Sequence, residues 1–215
     1  MSQRLNTKPR LRGVSHQWAC VVFAGLAVLL IAFASGAREH AGAATFAGAL
    51  VAMFGTSAVY HRVDWRSLAA RMWLRRLDHA MIYVLIAGTY TPFALLALDG
   101  AWRWSILAVV WTGALAAIVV VLAWTDAPKW FTAVLGIALG WVGIVVVPEL
   151  LGAIGVHGLL LLGIGGVLYT VGAIVYARRR PDPAPAVFGY HEVFHACVIA
   201  AAACQYAVVA MLIAS

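Results

Sequence analysis

Long apolar segments limit how this chain can fold more than any other feature. Of its 215 residues, 64% are hydrophobic and 11% are charged, and the mean hydropathy is +0.93. A soluble domain of this length could not bury so much apolar surface, so lipid must be the solvent for most of the chain. A helix that crosses a bilayer needs about 20 apolar residues. Seven segments meet that requirement: Trp18–Ala34, Ala43–Tyr60, Trp73–Leu98, Trp102–Trp124, Trp130–Val147, Val156–Tyr176 and Val187–Ile213.

The positions of the basic residues predict how these segments are oriented. If seven spans alternate, thirteen of the fifteen lysines and arginines fall on one side of the membrane, and only Arg38 and Arg103 fall on the other. Basic loops favour the cytoplasm, which predicts a cytoplasmic N-terminus and an outside C-terminus. The net charge of +7 would also suit a nucleic-acid binder, but this distribution favours a membrane protein without a nucleic-acid partner. We therefore expect an all-α integral membrane protein, with a basic cytoplasmic tail over residues 1–16 and one seven-helix transmembrane domain over residues 17–215.

Two histidines near the end of the chain are spaced for metal binding. His191 and His195 belong to the string His191-Glu192-Val193-Phe194-His195, at the start of the last apolar segment. Residues four apart share one face of a helix, where two imidazoles can hold one metal ion. A protein-bound zinc ion needs at least a third ligand. No His, Asp or Glu follows His195, so that ligand must come from upstream.

Polar residues at the ends of two earlier segments are the candidates. Ser57 and His61, again four residues apart, end the second segment, and Asp78 lies at the start of the third. The predicted orientation puts all three at the depth of His191 and His195. Three neutral imidazoles and a water form a common catalytic zinc arrangement, which lowers the pKa of that water towards ~7. Asp78 would act as general base or hold the water, and Ser57 would position it or stabilise the developing oxyanion.

Glu192 allows a second interpretation of the same motif. The string from His191 to His195 matches H-E-x-x-H, in which the glutamate is the base of zinc peptidases, so Glu192 could replace Asp78. The motif lies almost at the end of the chain, which leaves no place for the downstream third ligand of those enzymes. Alternatively, the Glu192 carboxylate reaches the inner interface from the end of its span. The remaining histidines near interfaces, tails or span ends are interpreted as structural: His16, His40, His79 and His157.

These motifs resemble the haemolysin III family, the bacterial branch of the progestin and adipoQ receptor superfamily. The order and spacing match over nearly the whole chain in three pieces: Ser57-Ala-Val-Tyr-His61; Arg76-Leu-Asp78-His79 running on to Ala87-Gly-Thr-Tyr-Thr-Pro92; and His191-Glu-Val-Phe-His195. The resemblance implies a seven-helix bundle in the bacterial inner membrane with a zinc ion near the cytoplasmic side. It also implies zinc ligands at His61, His191 and His195, with Asp78 holding the zinc water.

Two functions follow as hypotheses. Similarity to the eukaryotic relatives and, distantly, to alkaline ceramidases implies a zinc-dependent hydrolase of a lipid amide or ester, with membrane lipid as both solvent and substrate. The haemolysin label implies instead a pore-forming or lytic protein, and a sensor with a structural zinc belongs to the same non-enzymatic class. The spans offer few polar residues to line water, so a pore would need an oligomer.

Overall fold

A computed structural model describes residues 8–124 and 126–214. Within these two ranges the chain is helical, without a β-strand, and one isolated bridge joins Ala184 and Phe188. The helices are α1 (Val14–Ala32), α2 (Ala37–Arg62), α3 (Leu68–Ala97), α4 (Gly100–Ala123), α5 (Lys129–Gly140), a 3-10 helix (Val142–Val146), α6 (Val147–Arg178) and α7 (Tyr190–Ala214).

Six helical stretches in the described ranges are long and apolar enough to cross a membrane. Five of them are single helices, α1, α2, α3, α4 and α7, and the sixth is the 50-residue stretch Lys129–Arg178. Large apolar side chains also point outwards, as at Phe33, which is 72% exposed, and Val119, which is 65% exposed. Water would disfavour such a surface and lipid accepts it, so this is an integral membrane protein. The sequence predicts two spans where the structure has the one long stretch.

Several helices begin earlier than their apolar segments because local polar groups satisfy their first backbone N–H groups. The carboxylate of Glu39 accepts hydrogen bonds from the backbone N–H of Ser35 and of Gly36, at 2.7 and 3.4 Å, which extends α2 back to Ala37. The Ser67 hydroxyl accepts from the N–H of Ala70 at the start of α3. Hydropathy does not take these capping groups into account, which is why the predicted starts of the second and third segments, at Ala43 and Trp73, fall inside α2 and α3.

Helices α2 and α3 are antiparallel and very closely packed. A Cβ added at Gly88 would lie 2.5 Å from the Cβ of Ala49, and one added at Gly42 would lie 3.0 Å from the Cα of Pro92. Small residues at such crossings let two backbones approach, and close packing is a main source of helix association in lipid. The approach aligns the end of α2 with the first half of α3, where the predicted site residues lie.

Helices α1 and α7 run parallel to each other, and both contact α2. The Tyr206 hydroxyl of α7 donates a hydrogen bond to the Leu26 carbonyl of α1 at 2.9 Å, and Phe23 of α1 stacks on Phe54 of α2. The start of α7 therefore lies beside the start of α1 and the end of α2. We call this end of the helices, which holds His61, His191 and His195, the histidine end.

The stretch Lys129–Arg178 folds back on itself. The Nζ of Lys129, at the start of α5, lies 4.3 Å from the ring centre of Tyr176, near the end of α6. The indole N–H of Trp141 donates to the Thr170 hydroxyl at 3.0 Å, so α5 and the second half of α6 are antiparallel neighbours. Gly155 interrupts α6 with φ 64° and ψ −178°, a conformation open only to glycine without strain.

Candidate metal centre

Three buried histidines meet at the histidine end. His61, His191 and His195 each offer a ring nitrogen, and these atoms lie within 4.8 Å of one another. The Nε2 atoms of His61 and His191 are 3.1 Å apart, close to the roughly 3.3 Å between two nitrogens that bind one tetrahedral zinc ion. The side chains are 7, 8 and 1% exposed, respectively. The three histidines predicted from spacing thus form one buried group that can hold a metal ion.

An unpartnered nitrogen supports this interpretation. The Nδ1 of His195 is buried and has no hydrogen-bond partner among the residues that the structure describes. A buried polar atom left without a partner costs about 1–3 kcal/mol, and a group bound at this nitrogen would remove that cost. The donor set, three imidazoles and a nearby carboxylate, suits zinc and also other divalent transition metals.

Asp78 and Ser57 lie beside the three-histidine group. The Asp78 Oδ2 is 3.8 Å from the Nε2 of His61, and Ser57 lines the same cavity as Asp78. Ser57 itself is 2% exposed. Helix α2 places Ser57 one turn before His61, and the close α2–α3 packing brings Asp78 opposite both. All five residues predicted to be metal ligands or catalytic groups are thus in one place.

Sequence reasoning missed the contribution of His16. Its Nδ1 lies 2.8 Å from the Ser57 hydroxyl, and its ring stacks on that of His195 with centres 3.6 Å apart and planes inclined by 11°. It was assigned to an interface or tail because the first apolar segment starts after it, at Trp18. Its position at the same end as the other site histidines was the available signal.

Gly13 explains how His16 comes so close. The glycine adopts φ 79°, and a Cβ at this position would lie 2.5 Å from the Cβ of His61. Only glycine accepts both the left-handed backbone and this contact. The turn starts α1 at Val14, four residues before the first apolar segment, and so includes His16 in the helix. Residues 10 and 11 donate backbone hydrogen bonds to Ala186 and Val187, while residues 1–7 of the predicted tail lie outside the described part of the chain.

Glu192 is buried, and the expectation that it reaches the interface is wrong. Its side chain is 1% exposed, its Oε1 lies 2.5 Å from the Nε of Arg12, and its Oε2 accepts from the Gly189 N–H at 2.8 Å. The first contact neutralises the carboxylate and the second caps α7. Both oxygens are thus engaged away from the histidines, whereas the Asp78 carboxylate lies beside His61.

His79 has the structural contacts expected of it. Its Nδ1 lies 2.7 Å from the Arg75 carbonyl, and its Nε2 lies 2.9 Å from the Tyr176 hydroxyl. The ring therefore joins α3 to α6 with both nitrogens partnered. It borders the three-histidine group without offering it a free nitrogen.

A long cavity leads away from the three-histidine group. It has a volume of about 480 Å³, and its lining includes His191, His195 and Asp78 at one end and Leu98 near the other. Asp78 and Leu98 are separated along α3 by about 30 Å, at 1.5 Å per residue. Most of the side chains between them are apolar. The cavity has the length and the apolar character of a lipid chain. The polar residues His191, His195 and Asp78 lie at its buried end.

The fold and site define a class: a helical integral membrane protein in which a buried three-histidine group ends an apolar cavity. Comparison with known families gives the assignment. The family model described as "Haemolysin-III related" matches residues 5–206, so the chain belongs to the haemolysin III family, as its motifs suggested.

Two bacterial relatives are similar to this chain. "Hemolysin-3" of Bacillus cereus is 40% identical over 104 residues, which is 48% of each protein. The matched part therefore spans about half the length of that relative. "Hemolysin-3 homolog" of Bacillus subtilis (strain 168) is 30% identical over 182 residues, which covers 83% of this chain and 82% of that protein.

Proposed function

We propose that this protein is a metal-dependent hydrolase that cleaves an amide or ester bond of a membrane lipid. The observation that carries the proposal is the position of the three-histidine group, with Asp78 beside it, at the buried end of a chain-shaped apolar cavity. A lipid whose chain fills the cavity would place its first polar group at the histidines. Zinc is the metal we expect, because three imidazoles and an open position form its common catalytic arrangement.

The residues of the site have separate tasks in this reaction. A zinc ion held by His61, His191 and His195 would supply Lewis-acid polarisation and an activated water. Asp78 accepts the proton that water loses when its oxygen bonds to the carbonyl carbon. The carbon–nitrogen or carbon–oxygen bond then breaks, and the leaving amine or alcohol departs with that proton. The Ser57 hydroxyl, which contacts His16 and lines the cavity with Asp78, would orient the Asp78 carboxylate, and the apolar cavity excludes other water.

The same proposal includes seven membrane crossings in the bacterial inner membrane, with the histidine end near the cytoplasmic face. The fold-back of Lys129–Arg178 supports two crossings within that stretch, and the basic residues collect at the histidine end. Alkaline phosphatase is active only outside the cytoplasm. Fused after residue 215, it should therefore be active, and a fusion in the loop between α6 and α7 should be inactive. Activity of the loop fusion would contradict this orientation.

The test of the reaction is turnover by purified protein with lipid amides and esters as substrates. The Asp78→Ala variant should keep its metal and its fold but lose at least a hundredfold in turnover, as expected when a general base is removed. Asp64→Ala is the matched control, because Asp64 is an exposed carboxylate in the loop between α2 and α3. Undiminished turnover by folded, metal-loaded Asp78→Ala would refute the catalytic assignment.

The names of the two relatives favour a second candidate, a lytic or pore-forming protein in which the metal only joins α2 to α7. Dye release from vesicles that contain the purified protein separates the two. Release that is independent of Asp78, without lipid turnover, would favour lysis. Turnover without release would favour the hydrolase.

A further inference from the structure

The middle of the cavity contains two polar atoms that the proposed reaction does not use. Among the described residues, the Tyr169 hydroxyl and the Gln205 Oε1 are buried without a hydrogen-bond partner, and both side chains line the cavity. Such groups are costly in an apolar interior, and more so within a membrane. One is a potential donor and the other an acceptor. Together they are suited to a single hydroxyl or amide group.

The two side chains belong to facing parts of α6 and α7. Gln205 packs against Gly165, where a Cβ would lie 2.8 Å from its Nε2, and Tyr169 follows Gly165 by one helical turn. The Gln205 Nε2 donates to the Leu162 carbonyl at 3.5 Å, which leaves the amide oxygen unpartnered. Gln205 is 5% exposed, so water outside the protein does not satisfy it. The glycine therefore makes room for a polar side chain whose amide oxygen has no partner among the described residues.

The distance of these two atoms from the metal centre defines which part of a bound chain they would contact. Gln205 follows His195 by ten residues on the same helix, about 15 Å along its axis. That is about half the length of the cavity and falls near apolar residues such as Leu159 and Leu162. An unsubstituted chain would pass this point without a hydrogen bond to either polar atom.

We propose that Tyr169 and Gln205 form a subsite for a mid-chain hydroxyl group, so that the cavity selects hydroxylated lipid chains over unsubstituted ones. This rests on the proposed function only in that a lipid chain occupies the cavity. The Tyr169 hydroxyl donates to the ligand oxygen, and the ligand hydroxyl donates to the Gln205 Oε1. Two buried hydrogen bonds then form to atoms that have no partner within the described part of the chain.

The test compares two fatty acids of equal chain length. Ricinoleate has one hydroxyl near the middle of its chain and oleate has none. Each displaces a fluorescent fatty acid from purified protein in detergent, so no turnover is needed. Wild type should bind ricinoleate about tenfold tighter than oleate, within the range of net gains expected for two hydrogen bonds. Tyr169→Phe and Gln205→Leu should each lose most of that preference and keep their affinity for oleate.

Thr89→Val is the matched control, because Thr89 also lines the cavity but its hydroxyl already donates to the Leu85 carbonyl at 2.8 Å. It should keep the tenfold preference. Equal binding of the two fatty acids by wild type, as expected if water occupies the two atoms, would overturn the subsite and leave the hydrolase proposal intact. A preference for ricinoleate that survives in both Tyr169→Phe and Gln205→Leu would also overturn the subsite. If neither fatty acid binds, the result would contradict the lipid cavity, and with it both proposals.

Discussion

Removal of the Arg12 guanidinium should destabilise the folded protein by about 3 kcal/mol. Arg12 is the partner of Glu192, which is 1% exposed at the start of α7. Loss of one member of a buried ion pair costs about 3–5 kcal/mol because the other charge stays buried without compensation. We use the lower end of this energy range because the Arg12 side chain is 18% exposed and Glu192 would still accept the hydrogen bond from the Gly189 N–H. At about 2–4 °C per kcal/mol for a domain of this size, Arg12→Ala should lower the unfolding midpoint in detergent by roughly 6–12 °C.

Arg10→Ala is the matched control for this experiment. Arg10 is an exposed residue in the same segment, and its described contact is a backbone hydrogen bond to Ala186. Its removal should change the midpoint by no more than about 1–2 °C. The double variant Arg12→Met with Glu192→Gln should recover much of the loss, because neither charge is then left unpaired. The explanation is refuted if Arg12→Ala has the same unfolding midpoint as Arg10→Ala. It is also refuted if the double variant is no more stable than Arg12→Ala.

Three further predictions address packing, the hydrogen bond of His16 and metal. Gly88→Ala should lower the free energy of unfolding by about 2 kcal/mol, because the new Cβ would lie 2.5 Å from that of Ala49. Gly48→Ala is the control: a Cβ there would have nothing within 4 Å, so it should be neutral or stabilising in the same unfolding assay. His16→Phe keeps a ring beside His195 but removes the hydrogen bond to Ser57, so a loss of about 1 kcal/mol is expected; an unchanged midpoint would contradict it. Chelator should lower the midpoint of wild type but not of His191→Ala, because a ligand stabilises only a protein that binds it; equal shifts would exclude the three-histidine group as the source.

The main features of the site could be predicted because they depend on local patterns. Apolar segments indicate helices in lipid, and i, i+4 spacing puts His191 beside His195 and Ser57 beside His61. The orientation predicted from the basic loops then places Asp78 at the same depth in the membrane. Each step needs only the sequence and the direction of neighbouring helices, so the convergence of the three histidines follows without tertiary detail.

Other features depend on tertiary contacts that no local pattern contains. The role of His16 depends on the turn at Gly13, which the close approach to His61 requires. Burial of Glu192 depends on Arg12, which is distant in sequence and belongs to a segment expected to be a tail. The sequence predicts two spans within Lys129–Arg178, but not the contact that holds them together, since the hydrogen bond from Trp141 to Thr170 joins residues 29 positions apart. The cavity results from how all these helices pack.

The metal content of the purified protein tests the central claim most directly. Elemental analysis of wild type should find close to one zinc per chain, and His61→Ala, His191→Ala and His195→Ala should each lose it while they remain folded. Asp64→Ala, prepared in parallel, should keep it. Wild type without bound metal, or with zinc that survives all three histidine substitutions, would contradict the assignment of this group as a metal centre and the hydrolase proposal that depends on it.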